Sequence, residues 1–230
     1  MPEYVLRFAK EGYINYTSHL DIMRLFQRAF KKADIKLRYS QGYNPHPKMG
    51  FAQPLSLGYS SDCELMEFET EEDLDPGYIK EKMSQVMGES LDITGCRHFP
   101  EGMKKLAASA VSAVYIITMP LGKDEKTEDK IDIKRFMDQE DIPAEKRQKK
   151  TKKMKTINIR PMIRKLDMFV KDTDEGRMLS LTAELDAGSQ SNLSPELLIT
   201  AFIKYFSLDI PREEIDVKRI SIGFDNGFEF

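Results

Sequence analysis

The sequence predicts an α+β fold of tandem ferredoxin-like (βαββαβ) domains with antiparallel sheets, the second elaborated by an extra strand. Three observations carry this. The chain has 230 residues, enough for two domains of about 100 each. Over residues 1–100, period-two alternation and helical spacing follow one another as β-α-β-β-α-β, the split βαβ order. Over residues 107–230 the scheme recurs as β-α-β-β-β-α-β. Domains are therefore expected at 1–100 and 107–230, with a linker between them.

The first half reads element by element. Residues 4–10 set Leu6 and Phe8 on one face against Arg7 on the other, a strand. Ser18 can cap a helix N-terminus, with Asp21 three residues on able to reach back. That helix sets Ile22, Leu25, Phe26, Ala29 and Ala33 against a second face of Arg24, Arg28, Lys31 and Lys32. Gly42, Pro45 and Pro47 interrupt regular structure. Strands are expected around 49–52 and over 63–70, where Met66 and Phe68 alternate with Glu67 and Glu69. Asp75 and Pro76 open a second helix, and 91–97 close the domain as a strand.

In the second half, strands are expected at 110–119, 156–160, 166–171, 177–185 and 215–222. Residues 172–176 between two of them form a hairpin turn signal. Helices are expected over 128–139 and from Ser194 through Phe206. Residues 138–153 are polar enough for a mobile loop.

Net charge is -3, which argues against a surface that coats nucleic acid all over. The charges are nonetheless sorted. Residues 24–50 are basic with Asp34 the sole acid, 62–75 are strongly acidic, and 146–165 carry ten bases and no acid, including Lys146, Arg147, Lys149, Lys150, Lys152, Lys153 and Lys155. Such sorting sets the local potential that steers a polyanion. No apolar run approaches the roughly 20 residues that cross a bilayer. The N-terminus lacks a signal-peptide pattern, and Cys63 and Cys96 do not require a disulfide framework, so a cytoplasmic protein without membrane association is expected.

The chemistry-bearing residues gather at two places. His19 follows Ser18 in the first helical turn, where the helix dipole favours a neutral imidazole able to act as a base. Asp21 is a capping carboxylate, or a group that orients His19 or binds a cation. The loop Gly42-Tyr43-Asn44-Pro45-His46-Pro47 is stiffened by its prolines and presents Tyr43, Asn44 and His46 in fixed directions. Tyr39 and Tyr43 could stack on bases, with Arg24, Arg28 and Lys48 on phosphates. His19 and His46 are the candidate catalytic groups. No metal or cofactor is expected: the His and Cys residues lack metal-ligand spacing, and phosphate-binding glycine motifs are absent.

Residues 4–70 resemble the radical-SAM-linked protein family, an uncharacterised bacterial group. The residues that carry the resemblance are Gly12, Ser18-His19-Leu20-Asp21, Arg24, Arg28-Ala29, Tyr39-Ser40, Gly42-Tyr43-Asn44-Pro45-His46-Pro47, Pro54-Leu55, Leu57-Gly58 and Ser60. The resemblance implies a radical-SAM protein as partner, encoded beside such a chain or fused to it. The chain itself lacks CxxxCxxC, so radical chemistry would belong to that partner. At the level of fold it is also similar to the tandem-domain endoribonucleases of the CRISPR RAMP group. The expected function is thus an accessory protein that binds RNA for modification by a radical-SAM partner, without catalytic activity of its own. Two alternatives stand beside it: a metal-independent endoribonuclease using His19 or His46, and a pure protein-interaction module docking through the acidic 62–75 segment.

Overall fold

A computed structural model describes residues 2–88, 91–121, 130–148, 152–174 and 176–230. The chain divides into two compact units, one of residues 1–110 with 221–230 and the other of residues 111–220. This differs from the expected division at 100–107. The short helix near the expected linker buries Leu106 against Val5, Leu65 and Phe99 of the first unit, and the C-terminal residues return to that unit.

In the first unit the elements are β1 (Glu3–Lys10), α1 (His19–Lys32), β2 (Met49–Phe51), β3 (Ser60–Glu69), α2 (Pro76–Met87), β4 (Ile93–His98) and the short α3 (Leu106–Ser109). The strands lie in the order β4-β1-β3-β2, all antiparallel, with Tyr4 opposite Phe68 and His98, and Phe51 opposite Met66. Alternation along β1 separates two cores. Tyr4, Leu6 and Phe8 face α1 and α2 and meet Ile22, Phe26, Phe30, Ile79 and Met83. Val5 faces the other side and meets Leu65, Phe99, Leu106 and Phe228. Phe30 belongs to the buried face of α1, whereas Leu25 is only partly covered; the apolar stripe is rotated slightly from the one expected.

In the second unit the elements are β5 (Ala110–Pro120), α4 (Ile133–Met137), β6 (Pro143–Arg147), β7 (Met154–Asn158), β8 (Ile163–Thr173), β9 (Gly176–Asp186), α5 (Pro195–Phe206) and β10 (Asp216–Phe224). Residues from Ser221 on count with the first unit. The main strands run β10-β5-β9-β8, while β6 and β7 pair with each other as a separate two-stranded sheet. Phe136 of α4 packs edge-on against Phe202 of α5 at 5.6 Å. The expected loop at 138–153 is corrected here, since its middle is strand β6. Glu128 and Asp129 of the expected helix, Lys149 and Lys150 of the basic run, and Glu175 of the turn lie outside the described residues.

The protein is therefore an α+β structure with a mostly antiparallel sheet and a small second sheet. No helix among the described residues is long and apolar enough to cross a membrane.

Candidate functional site

The N-terminus of α1 is built as the sequence demands. Ser18 has extended backbone, and its Oγ accepts from the Asp21 amide at 3.2 Å while donating to Asp21 Oδ2 at 2.7 Å. Arg24 Nη1 donates to Asp21 Oδ1 at 3.1 Å. These hydrogen bonds, Ser18 first and Arg24 after it, hold the Asp21 carboxyl below its ordinary range. Ser18 thus caps the helix, and Asp21 takes the Ser18 hydroxyl and pairs with Arg24, whose charge is partly engaged in return.

His19 turns the other way. Its ring stands edge-on to Phe51 at 5.0 Å and lines a cavity of about 20 Å³ with Lys10, Thr17, Ile22, Pro54 and Glu64. That is room for one water-sized group. Lys10 and Glu64 are each 4 % exposed, and Lys10 Nζ donates to the Asn15 carbonyl at 3.3 Å. Burial lowers the His19 pKa, the Lys10 charge lowers it further, and the Glu64 charge opposes both. The charged form of the imidazole is therefore disfavoured, mainly by desolvation. Lys10 and Glu64 were not legible as site residues, because charges alternating along a strand read as solvent-facing.

A second, wider space lies toward the other end of α1. A cleft of about 500 Å³ is lined by Arg28, Phe30, Lys31, Lys36, Tyr39 and Glu71, among others. Arg28 lies nine positions beyond His19, roughly 13 Å along the helix axis. Arg28 and Lys31 have no ion pair among the described residues, while Lys36 Nζ lies 3.9 Å from Glu72.

Tyr39 is also the neck of the proline loop. It bridges to Pro47, the Ser40 amide donates to the His46 carbonyl at 2.8 Å, and the His46 amide donates to Ser40 Oγ at 3.0 Å. Gly42 has φ +136, a conformation that strains any side chain. Beyond this closed neck Tyr43, Asn44 and His46 are exposed. The arrangement brings Arg28 and Tyr39 to one cleft with the loop continuing from it. His46 is not among the residues that line the small cavity of His19.

Lys48, expected on a phosphate, is paired within the protein. Its Nζ donates to Glu69 Oε2 at 2.8 Å, and Arg38 Nη1 lies 3.5 Å from the same oxygen. The acidic segment is in part internal. Glu64 and Glu69 are buried, and Glu67 accepts from the Leu106 amide beside Lys105.

Neither cysteine is in a disulfide; Cys63 is buried and Cys96 half-buried. Burial pushes the Cys96 thiol up to about 12. At pH 8 the folded protein is therefore expected to resist iodoacetamide at Cys96 and to react there once unfolded in urea, as read by peptide mass spectrometry. Rapid labelling of Cys96 in the folded protein would contradict its burial.

Among the described residues no cluster of three or more His, Cys, Asp or Glu could hold a metal ion. A chain in the crystal structure of a Cbf5-Nop10-Gar1 complex resembles this one with a TM-score of 0.52 at 11% identity, covering 96% of this chain and 49% of that one. The protein thus spans about half the length of that chain, and the likeness concerns fold alone. An unknown protein from Galdieria sulphuraria aligns over 96% of this chain and 99% of its own at 10% identity, with a TM-score of 0.28. No curated protein matches. Residues 3–195, which include the capped α1, the Tyr39 cleft and the proline loop, match the family described as an uncharacterized protein conserved in bacteria, DUF2344. With most of its length matched, the chain belongs to that bacterial family of uncharacterised proteins.

Proposed function

We propose that this protein is an RNA-binding accessory that presents single-stranded RNA to a radical-SAM partner for modification. The observation that carries the reading is the cleft in which Arg28 and Lys31, without ion pairs among the described residues, stand beside Tyr39. A phosphate backbone would follow the cations, and a base would stack on the Tyr39 ring. Tyr43 and Asn44 on the closed loop extend the contact surface. The partner rests on the resemblance of residues 4–70 to the radical-SAM-linked family. Both units are read as ferredoxin-like, the second with an inserted hairpin. The orders β4-β1-β3-β2 and β10-β5-β9-β8 support this, each placing the unit's main strands as fourth, first, third and second.

The test is equilibrium binding to fluorescent single-stranded RNA across a salt series. Wild-type affinity should fall steeply with salt. R28A with K31A should reduce the log-log slope by about 0.7 for each phosphate that is no longer neutralised. Tyr39→Ala should cost about 1–3 kcal/mol of binding with the slope unchanged. Affinity indifferent to salt would overturn the electrostatic account. Copurification of a radical-SAM protein from the native host tests the partnership. The endoribonuclease reading gains less support, since His46 is not among the residues that line the cavity of His19.

A further inference from the structure

The separate sheet of the second unit poses an energetic question. Strands β6 and β7 pair along five positions, with Ala144 opposite Ile157 and, next outward on the same face, Lys146 opposite Lys155. Like charges directly opposite each other in an antiparallel pair are destabilising, and a two-stranded ribbon is marginal on its own. The ribbon is nevertheless well secured at its base. Asn158 Oδ1 accepts from the Ile142 and Arg160 amides at 3.0 and 2.9 Å, Asn158 Nδ2 donates to the Glu140 carbonyl at 2.9 Å, and Ala144 and Ile159 are buried. Farther out every described residue is exposed: Lys146, Arg147, Lys152 and Lys155 carry positive charge, and Met154 presents an apolar tip. Arg147 Nε donates to the Lys152 carbonyl at 3.3 Å, which ties the cationic end together. None of these four cations makes an ion pair with an acid among the described residues.

We infer that the β6–β7 ribbon is a second nucleic-acid contact, which lays its cationic end along the phosphodiester backbone of a duplex. The firmly held base orients the ribbon, and the opposed Lys146 and Lys155 are kept because an external anion, not a protein carboxylate, neutralises them. An A-form RNA duplex is contacted at its phosphates and 2′-hydroxyls across a wide, shallow minor groove, and lysines on phosphates give affinity without sequence preference. The inference deepens the RNA-binding reading and rests on it, adding a duplex site in the second unit to the single-strand cleft of the first.

The experiment measures binding of the full chain to a hairpin RNA, the same duplex as DNA, and heparin, each over a salt series. The variant K146T with K155T places two strong strand formers opposite each other, so the ribbon is kept and its repulsion removed. Its melting temperature is expected to equal or exceed that of wild type. Its affinity for hairpin RNA at 0.1 M salt should be on the order of tenfold weaker, with the log-log slope reduced by nearly 2. Preference for the RNA duplex over the DNA duplex supports RNA as the ligand; equal loss on both supports duplex phosphate in general. Loss on heparin alone overturns the proposal, because the ribbon would then be a generic polyanion surface. If wild type binds RNA and the ribbon variant binds as tightly with an unchanged slope, the ribbon site falls and the Tyr39 cleft stands. If R28A with K31A leaves binding intact while the ribbon variant weakens it, the cleft falls and the ribbon stands. Absence of RNA binding by wild type overturns both.

Discussion

Phe26→Ala is expected to destabilise the first unit by about 3–5 kcal/mol. The Phe26 side chain is fully buried at the centre of an aromatic chain. Its ring lies 4.9 Å from Phe8 on β1 and 5.8 Å from Phe51 on β2, and Phe51 in turn packs against His19. Removing the ring opens a cavity between α1 and the sheet that neither neighbour can fill without leaving its own contacts. The loss should appear in urea unfolding followed by far-ultraviolet circular dichroism, as an earlier transition for part of the signal. Phe26→Leu keeps more of the volume and should cost roughly 1 kcal/mol. The His19 ring resonances should also shift in Phe26→Ala, because Phe51 touches both rings and moves when one of them is removed. A destabilisation below about 1 kcal/mol for the alanine variant would show that this core does not anchor α1.

What could be read in advance followed local rules, and what could not depended on pairing at long range. The start of α1 was legible because Ser18 and Asp21 act within one turn: Ser18 caps the Asp21 amide as the spacing promises, while the Asp21 carboxylate reaches back only to the Ser18 hydroxyl. Strands β1, β3 and β9 were legible because one face of each is apolar at period two. Strand β6 was not. Pro143, Glu145, Lys146 and Arg147 offer no alternation, and the strand forms because β7 supplies its partner and Asn158 fixes its base. The proline loop was recognisable from composition, but its closure by Ser40 and the junction of Tyr39 with Arg28 required the fold. Lys48 looked free in a basic stretch, and its carboxylate partner Glu69 is 21 residues away. The acidic run misled in the same way: reading its charges as a surface ignored that β3 is buried on both faces, so Glu64 and Glu69 point into the protein.

Neutralising Lys10 or Glu64 should move the titration of His19 in opposite directions. The folded protein holds His19 below its ordinary pKa, chiefly by burial, with Lys10 repelling and Glu64 attracting the imidazolium. Lys10→Met removes the repulsion and raises the midpoint; Glu64→Gln removes the attraction and lowers it. Both are read by nuclear magnetic resonance of the ring against pH. The sign of the stability effect follows from linkage. Because the unfolded imidazole binds its proton more readily, wild-type stability is fully present above about pH 6.5 and declines as pH falls through the lowered folded value. In Lys10→Met that decline should be shallower. Each single variant should also cost about 3 kcal/mol, because it removes one of two opposite charges buried around one small cavity. The double variant should lose less than the sum of the singles, since the charge left behind by each is then absent too. Strict additivity, with the His19 midpoint unmoved in either single variant, would mean that these three groups do not form one electrostatic unit, and His19 would then be a packing residue of the α1 terminus.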